Sequence, residues 1–226
     1  MLLLAAVCLL AGCGGDPAAK TGFHEVNERR FFANSLGMQF VQLADGDAWL
    51  GVWETRVADY AVFASATTNG WQAAWFQDTD RHPAVNVQWD DAQAFCAWLS
   101  RRERESGLLA DDEGYRLPTS SEWTAALDQA EPTDSGNFGP QLGSESFDRT
   151  SPVGSFPANA LGLHDLRGNV WEWCTAWPSE EGVGRILRGG GWRDAATDRE
   201  LIVTPKVSAE DYGFRCVLIL KRPAGP

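Results

Sequence analysis

Positive charge is in short supply in this 226-residue chain: 19 Lys and Arg stand against 31 Asp and Glu, a formal net charge of −12. That balance argues against nucleic acid and against adhesion to anionic lipid, since both need basic patches. Histidine is rarer still. His24, His82 and His164 are the whole set, and no two of them stand at a metal-ligand spacing. After Cys13 no apolar run approaches the about 20 residues that a membrane-spanning helix needs, and neither an internal repeat nor a low-complexity block is present. What is abundant is hydrophobic residues at 44%, with 11 Trp among them. Large aromatics supply much apolar area per residue, which suits a single domain with little regular structure.

The chain opens Met1-Leu-Leu-Leu-Ala-Ala-Val-Cys-Leu-Leu-Ala-Gly-Cys13, an apolar run of export-signal length that lacks the usual preceding Lys or Arg. Leu10-Ala11-Gly12-Cys13 resembles the bacterial lipobox. It implies a lipoprotein signal over residues 1–12, lipidation of Cys13, membrane attachment through that lipid and a place in the bacterial cell envelope, facing the outer membrane or periplasm. Residues 13–30 are polar and read as a flexible tether, 31–221 as the domain and 222–226 as a tail. Of five Cys, export leaves Cys96, Cys174 and Cys216 in the mature domain. An oxidising compartment favours one disulfide and one leftover thiol, and spacing does not say which pair forms.

Along the domain, Met38–Leu43 and Ala48–Trp53 alternate like strands on either side of the Asp45-Gly46 turn. Val57, Tyr60, Ala61 and Ala64 recur at helical spacing from Arg56. A second helix is expected after Trp89, with Asp90 capping it, Gln93 three residues on, and Ala92, Phe95, Cys96 and Leu99 inward; Gly107 ends it. A third follows Pro118, Thr119 and Glu122 forming a capping box. From Glu131 the chain is rich in Gly, Pro, Ser and Asn. Trp171, Trp173, Trp177, Trp192 and Phe214 still need burial, so the stretch reads as ordered loops packed on aromatics.

Five segments then stand in order: HPAVNVQWDDAQAFCAWL (His82 to Leu99), YRLPTSSEW (Tyr115 to Trp123), SPVGSFPANALGLHDLRGNVWEWC (Ser151 to Cys174), RILRGGGW (Arg185 to Trp192) and GFRC (Gly213 to Cys216). Together they resemble the formylglycine-generating enzyme, or sulfatase-modifying factor, family over about Leu36 to Leu220. The resemblance implies an α+β fold, a loop-rich C-type lectin-like variant low in regular secondary structure. It also implies oxidation of a sulfatase cysteine by oxygen at copper(I), held by two thiolates because a soft ion prefers sulfur. Laid on this sequence, those two positions are Asp194 and Arg199, a hard carboxylate and a group that is no ligand, so no copper is expected and the chain reads as a pseudoenzyme. The resemblance pairs Cys96 with Cys216 in a disulfide and leaves Cys174 a buried spectator. Sulfoxide synthases of thiol-histidine biosynthesis, another branch, need a histidine-held iron and an extra helical domain, neither of which is here.

The same resemblance implies structural calcium at Asp165, the carbonyls of Gly168 and Val170, and Glu172, oxygen donors that suit a hard cation. A second calcium position would map to Asn137, Phe138, Glu145 and Phe147. The last loop offers Trp192, Arg193, Asp194, Asp198, Arg199 and Lys206 as a candidate ligand-binding surface of one aromatic and mixed charges. The expected function is a non-catalytic binding or scaffolding domain on a lipid anchor, contacting an envelope protein or a glycan. The alternatives are a divergent oxidase acting on a protein cysteine and a hypermutated variable protein of a diversity-generating retroelement.

Overall fold

The computed structural model describes residues 21–26, 28–43, 46–127, 136–138, 147–175, 184–194 and 200–221. In chain order the elements are β1 (Gly22–Val26), β2 (Arg29–Ala33), β3 (Gln39–Gln42), β4 (Ala48–Gly51), α1 (Val57–Thr67), α2 (Trp89–Glu105), β5 (Gly114–Arg116), α3 (Ser120–Leu127), β6 (Trp171–Trp173), β7 (Arg185–Arg188), β8 (Leu201–Val203), β9 (Tyr212–Gly213) and β10 (Val217–Ile219). One sheet runs β1-β2-β3-β4-β10-β5 and a smaller one β8-β7-β6-β9. Most neighbours are antiparallel; β6 and β9 run parallel. Among the described residues no helix is long and apolar enough to cross a membrane.

Both faces of the large sheet are buried, and the sequence shows why. Successive strand residues point to opposite faces, and each central strand carries apolar residues back to back. Phe32, Phe40, Trp49 and Leu218 join the core that receives α1 and α2 through Tyr60, Phe63, Phe95 and Leu99. Their chain neighbours Phe31, Val41, Leu50 and Val217 join the other core with Trp123 and Ala126 of α3 and Leu163 of the loop before β6. Phe214 closes the first core, its ring 5.4 Å from Phe95 and 6.0 Å from Tyr60. Each such fully buried side chain contributes roughly 1.5–3 kcal/mol.

Helix starts follow local chemistry. At α3 the Thr119 backbone N–H donates to Glu122 Oε2 at 2.9 Å and Glu122 N–H returns to Thr119 Oγ1 at 3.1 Å, the expected capping box. At α1, Arg56 N–H donates to Asp59 at 3.0 Å. At α2 the expectation is corrected: Gln88, not Asp90, is the capping position, and no side chain caps it. Gly107, at φ 77°, follows the helix as expected.

A second correction concerns the tether. Residues 22–26 and 29–30, expected within it, are strand, and the fold begins at Gly22 with β1 pairing β2 in register Phe23↔Phe32. No alternation announced β1: Phe23, Glu25 and Val26 are exposed, and half-buried His24 stacks on Phe31 at 5.7 Å. Phe23 is half exposed, yet its ring lies 5.3 Å from Phe32 and 5.5 Å from Trp49. The signal segment, Cys13 and the tail lie outside the described residues.

Candidate functional site

The small sheet and the glycine turn build a cavity of about 410 Å³, lined by Trp171, Arg193, Asp194, Glu200, Leu201, Ala209, Asp211 and Tyr212. Trp171 of β6 and Tyr212 of β9 come from paired strands, and the Trp171 backbone N–H donates to Asp211 O at 2.7 Å. Asp194 closes a turn onto Gly191 O at 2.9 Å. Its Oδ2 accepts from Trp171 Nε1 at 2.6 Å and from Gly191 N–H at 3.1 Å. Gly191 is obligatory there, because a Cβ would come within 2.9 Å of Asp211 Cβ and 3.1 Å of Trp171 Cδ1. Asp211 is 7% exposed, and burial, then the Asp194 charge, push its carboxyl above the ordinary range, against the pull of Arg193.

Of the candidate ligand-binding residues, Arg193 and Asp194 line this cavity. Trp192 stands beside it, between the guanidinium of Arg193 at 4.5 Å and that of Arg149 at 5.3 Å. Glu210 ties both arginines, at 2.8 Å each. Lys206 does not join them: its Nζ is spent on Asp90 at the start of α2, 2.5 Å away. Asp198 and Arg199 lie outside the described residues. Trp171, Glu200, Asp211 and Tyr212 were not singled out from the sequence as ligand contacts. The readable signal for Asp211 was its place two residues before Gly213, where the strand pairing brings it under the glycine turn.

Behind the cavity lies a second charged group. Arg215, fully buried, donates through Nε to Glu172 Oε2 at 2.7 Å and through Nη2 to Oε1 at 2.6 Å, and reaches Gly51 O and His164 O. Trp123 Nε1 adds a bond to Glu172 Oε2 at 3.0 Å. Asn169 Nδ2 donates to Glu54 Oε1 at 3.0 Å, while Gly154 N–H donates to Asp165 Oδ2 at 2.6 Å. Burial, reinforced by Asp165, holds the Glu54 carboxyl well above its ordinary range. Burial likewise raises Asp165, against the Gly154 bond and Arg215. The two remaining carboxylate oxygens of this group, Glu54 Oε2 and Asp165 Oδ1, are buried without a partner.

That arrangement bears on the calcium expectation at Asp165, Gly168, Val170 and Glu172. Both Glu172 oxygens are taken by Arg215 and Trp123, so the set offers one open carboxylate oxygen, Asp165 Oδ1. Among the described residues no three His, Cys, Asp or Glu converge on one point. Calcium takes six to eight oxygens, and these residues do not fit it as they stand. Gly168, at φ 77°, instead lets the backbone pass close to Asn137, whose carbonyl oxygen would lie 2.5 Å from a Cβ at this position. At the second calcium position, Asn137 holds the loop by donating to Arg149 O at 2.6 Å and accepting from Asn169 N–H at 2.7 Å. Phe138 is buried, Phe147 packs edge-on to Phe156 at 6.4 Å, and Glu145 lies outside the described residues.

Cys96 and Cys216, which the resemblance pairs in a disulfide, lie side by side in the core with their sulfurs 3.7 Å apart. Burial pushes the Cys96 thiol well up. Cys174 is buried behind β6, its thiol raised by burial and then by Glu172, which suits a packing role over a reactive one.

A domain description, sulfatase-modifying factor enzyme 1-like domain, matches residues 24–220. The chain belongs to this family. It is 29% identical to a formylglycine-generating enzyme of Thermomonospora curvata, across 85% of this chain and 79% of that protein. It is 33% identical to the inactive C-alpha-formylglycine-generating enzyme 2 of Bos taurus, across 63% of this chain and 52% of the relative, so it spans about half that protein's length. The fold is that of PvdO from Pseudomonas aeruginosa, with a TM-score of 0.67, 20% identity and 84% and 98% of the two chains covered. Treponema denticola variable protein 1 shares it too, at 0.56 and 22% over 88% and 98%. The α+β, loop-rich, lectin-like architecture of the family is therefore this chain's.

Proposed function

We propose that this chain is a non-catalytic member of the sulfatase-modifying factor family, carried to the bacterial envelope on a lipid at Cys13, that uses the Trp171–Asp194–Asp211 cavity to bind a ligand. The observation that carries the reading is Asp194. It stands where the resemblance places the first copper thiolate, and its carboxylate is fastened to Trp171 Nε1 and Gly191 N–H. A carboxylate is a poor ligand for copper(I), so oxygen chemistry of the family's kind has no soft-metal ligand here. The similar bovine protein is itself designated inactive, which supports the reading. Envelope attachment rests on the Leu10–Cys13 motif; the partner is an envelope protein or glycan displaying the ligand.

The test is turnover. The mature chain is incubated with copper(I), oxygen and a sulfatase-type cysteine peptide, and aldehyde formation is followed by mass spectrometry. No aldehyde above the no-protein control is expected; copper-dependent multiple turnover would overturn the reading. Globomycin treatment of producing cells, leaving an unprocessed precursor, tests the lipid anchor.

A further inference from the structure

The cavity has an unbalanced charge. Glu200 is answered by Arg188 at 3.1 Å, and Glu210 is shared by Arg193 and Arg149 at 2.8 Å each, so Arg193 keeps some pull on Asp211 but does not neutralise both remaining acids. Asp194 and Asp211 remain, and among the described residues neither has an ion-pair partner. Asp194 receives two neutral donors, whereas Asp211, 7% exposed as a residue, lines the cavity with no hydrogen bond from a described residue. Leaving a buried carboxylate unanswered is expensive. Trp171 and Tyr212 supply aromatic carbon to the same walls.

We infer that this cavity binds an organic ammonium ion, its charge set between Asp194 and Asp211 and its alkyl part against Trp171 and Tyr212. The inference rests on the reading of the cavity as a ligand site and names the ligand's chemistry. A bare metal ion is a poorer occupant, because the carboxylates do not converge as a coordination shell among the described residues. An anion would add to the repulsion between the two carboxylates. A neutral sugar would leave both charges unanswered. An ammonium head is large enough to touch groups spread around a cavity of about 410 Å³, and it gains from both carboxylates and aromatic faces.

Calorimetric titration of the purified mature chain with choline, n-butylamine and the neutral choline isostere 3,3-dimethylbutan-1-ol tests this. The ammonium compounds are expected to bind at least about tenfold more tightly than the alcohol. Asp211→Asn and Asp194→Asn should each weaken choline by about tenfold or more while leaving the alcohol unchanged. Melting curves identify a variant that does not fold, and the other then carries the comparison. Equal binding of alcohol and amine, binding indifferent to both substitutions, or no binding by about 10 mM would each overturn the ammonium assignment. None of those results would yield aldehyde in the turnover assay, so the failure of this inference and of the non-catalytic reading are told apart.

Discussion

Two acidic groups lie back to back in this molecule, and they are neutralised in opposite ways. In the core, Glu54, Asp165 and Glu172 surround Arg215, a cation built into the chain, with Glu172 gripped through both oxygens. In the cavity, Asp194 and Asp211 form no ion pair with a described residue, and Arg193 on the same wall is tied to Glu210. The first group is closed and structural; the second is open and fit for a visitor. The substitutions below either break that contrast or sharpen it.

The largest effect is expected from Arg215→Met. It removes the buried cation that grips Glu172 through both oxygens, and should destabilise by about 3–5 kcal/mol in urea unfolding; a loss under about 1 kcal/mol would mean Glu172 finds another partner. Gly191→Ala comes next. Its Cβ would crowd Asp211 and Trp171, an overpacking worth about 1–3 kcal/mol, with cavity binding lost alongside stability.

Glu54→Gln acts in the other direction. Because Glu54 and Asp165 hold their protons in the folded state above the ordinary 4.5 and 3.8, the folded state binds more protons than the unfolded one in that window. Stability from these groups therefore falls as pH rises through it. The variant should be more stable than the parent at neutral pH by about 1 kcal/mol, with the advantage fading as pH drops toward 4.5. A constant difference across pH would show that Glu54 is ionised throughout. Calcium should matter least. With Arg215 already seated against Glu172, millimolar calcium should leave the melting temperature unmoved, and a clear rise would show that Arg215 yields its place.

How far the sequence revealed this depends on what each residue's neighbours in the chain disclose. The alternation over Met38–Leu43 and Ala48–Trp53 announced strands, and Thr119 with Glu122 announced a helix start, because those signals are local; that both faces of those strands are buried appeared only in the fold. Strand β1 escaped because it carries no alternation to read: Phe23, Glu25 and Val26 are all exposed, and half-buried His24 stacks on Phe31 instead of presenting an apolar side chain. The site was half legible. Asp194 was found through the glycine turn, yet Asp211 looked like any loop acid until the β6–β9 pairing set it beneath Gly191. Lys206 showed the converse: charge in a loop does not tell which way it faces, and Asp90 claims it.

The central claim is that Asp194, with Arg199, has replaced the sulfur that copper chemistry requires. Copper(I) competition against a chromophoric chelator, run on the parent chain and on the double variant Asp194→Cys with Arg199→Cys, tests it most directly. The parent should leave copper with the chelator and the double variant should withdraw one equivalent. A parent chain that takes up copper(I) as firmly as the double variant would contradict the account.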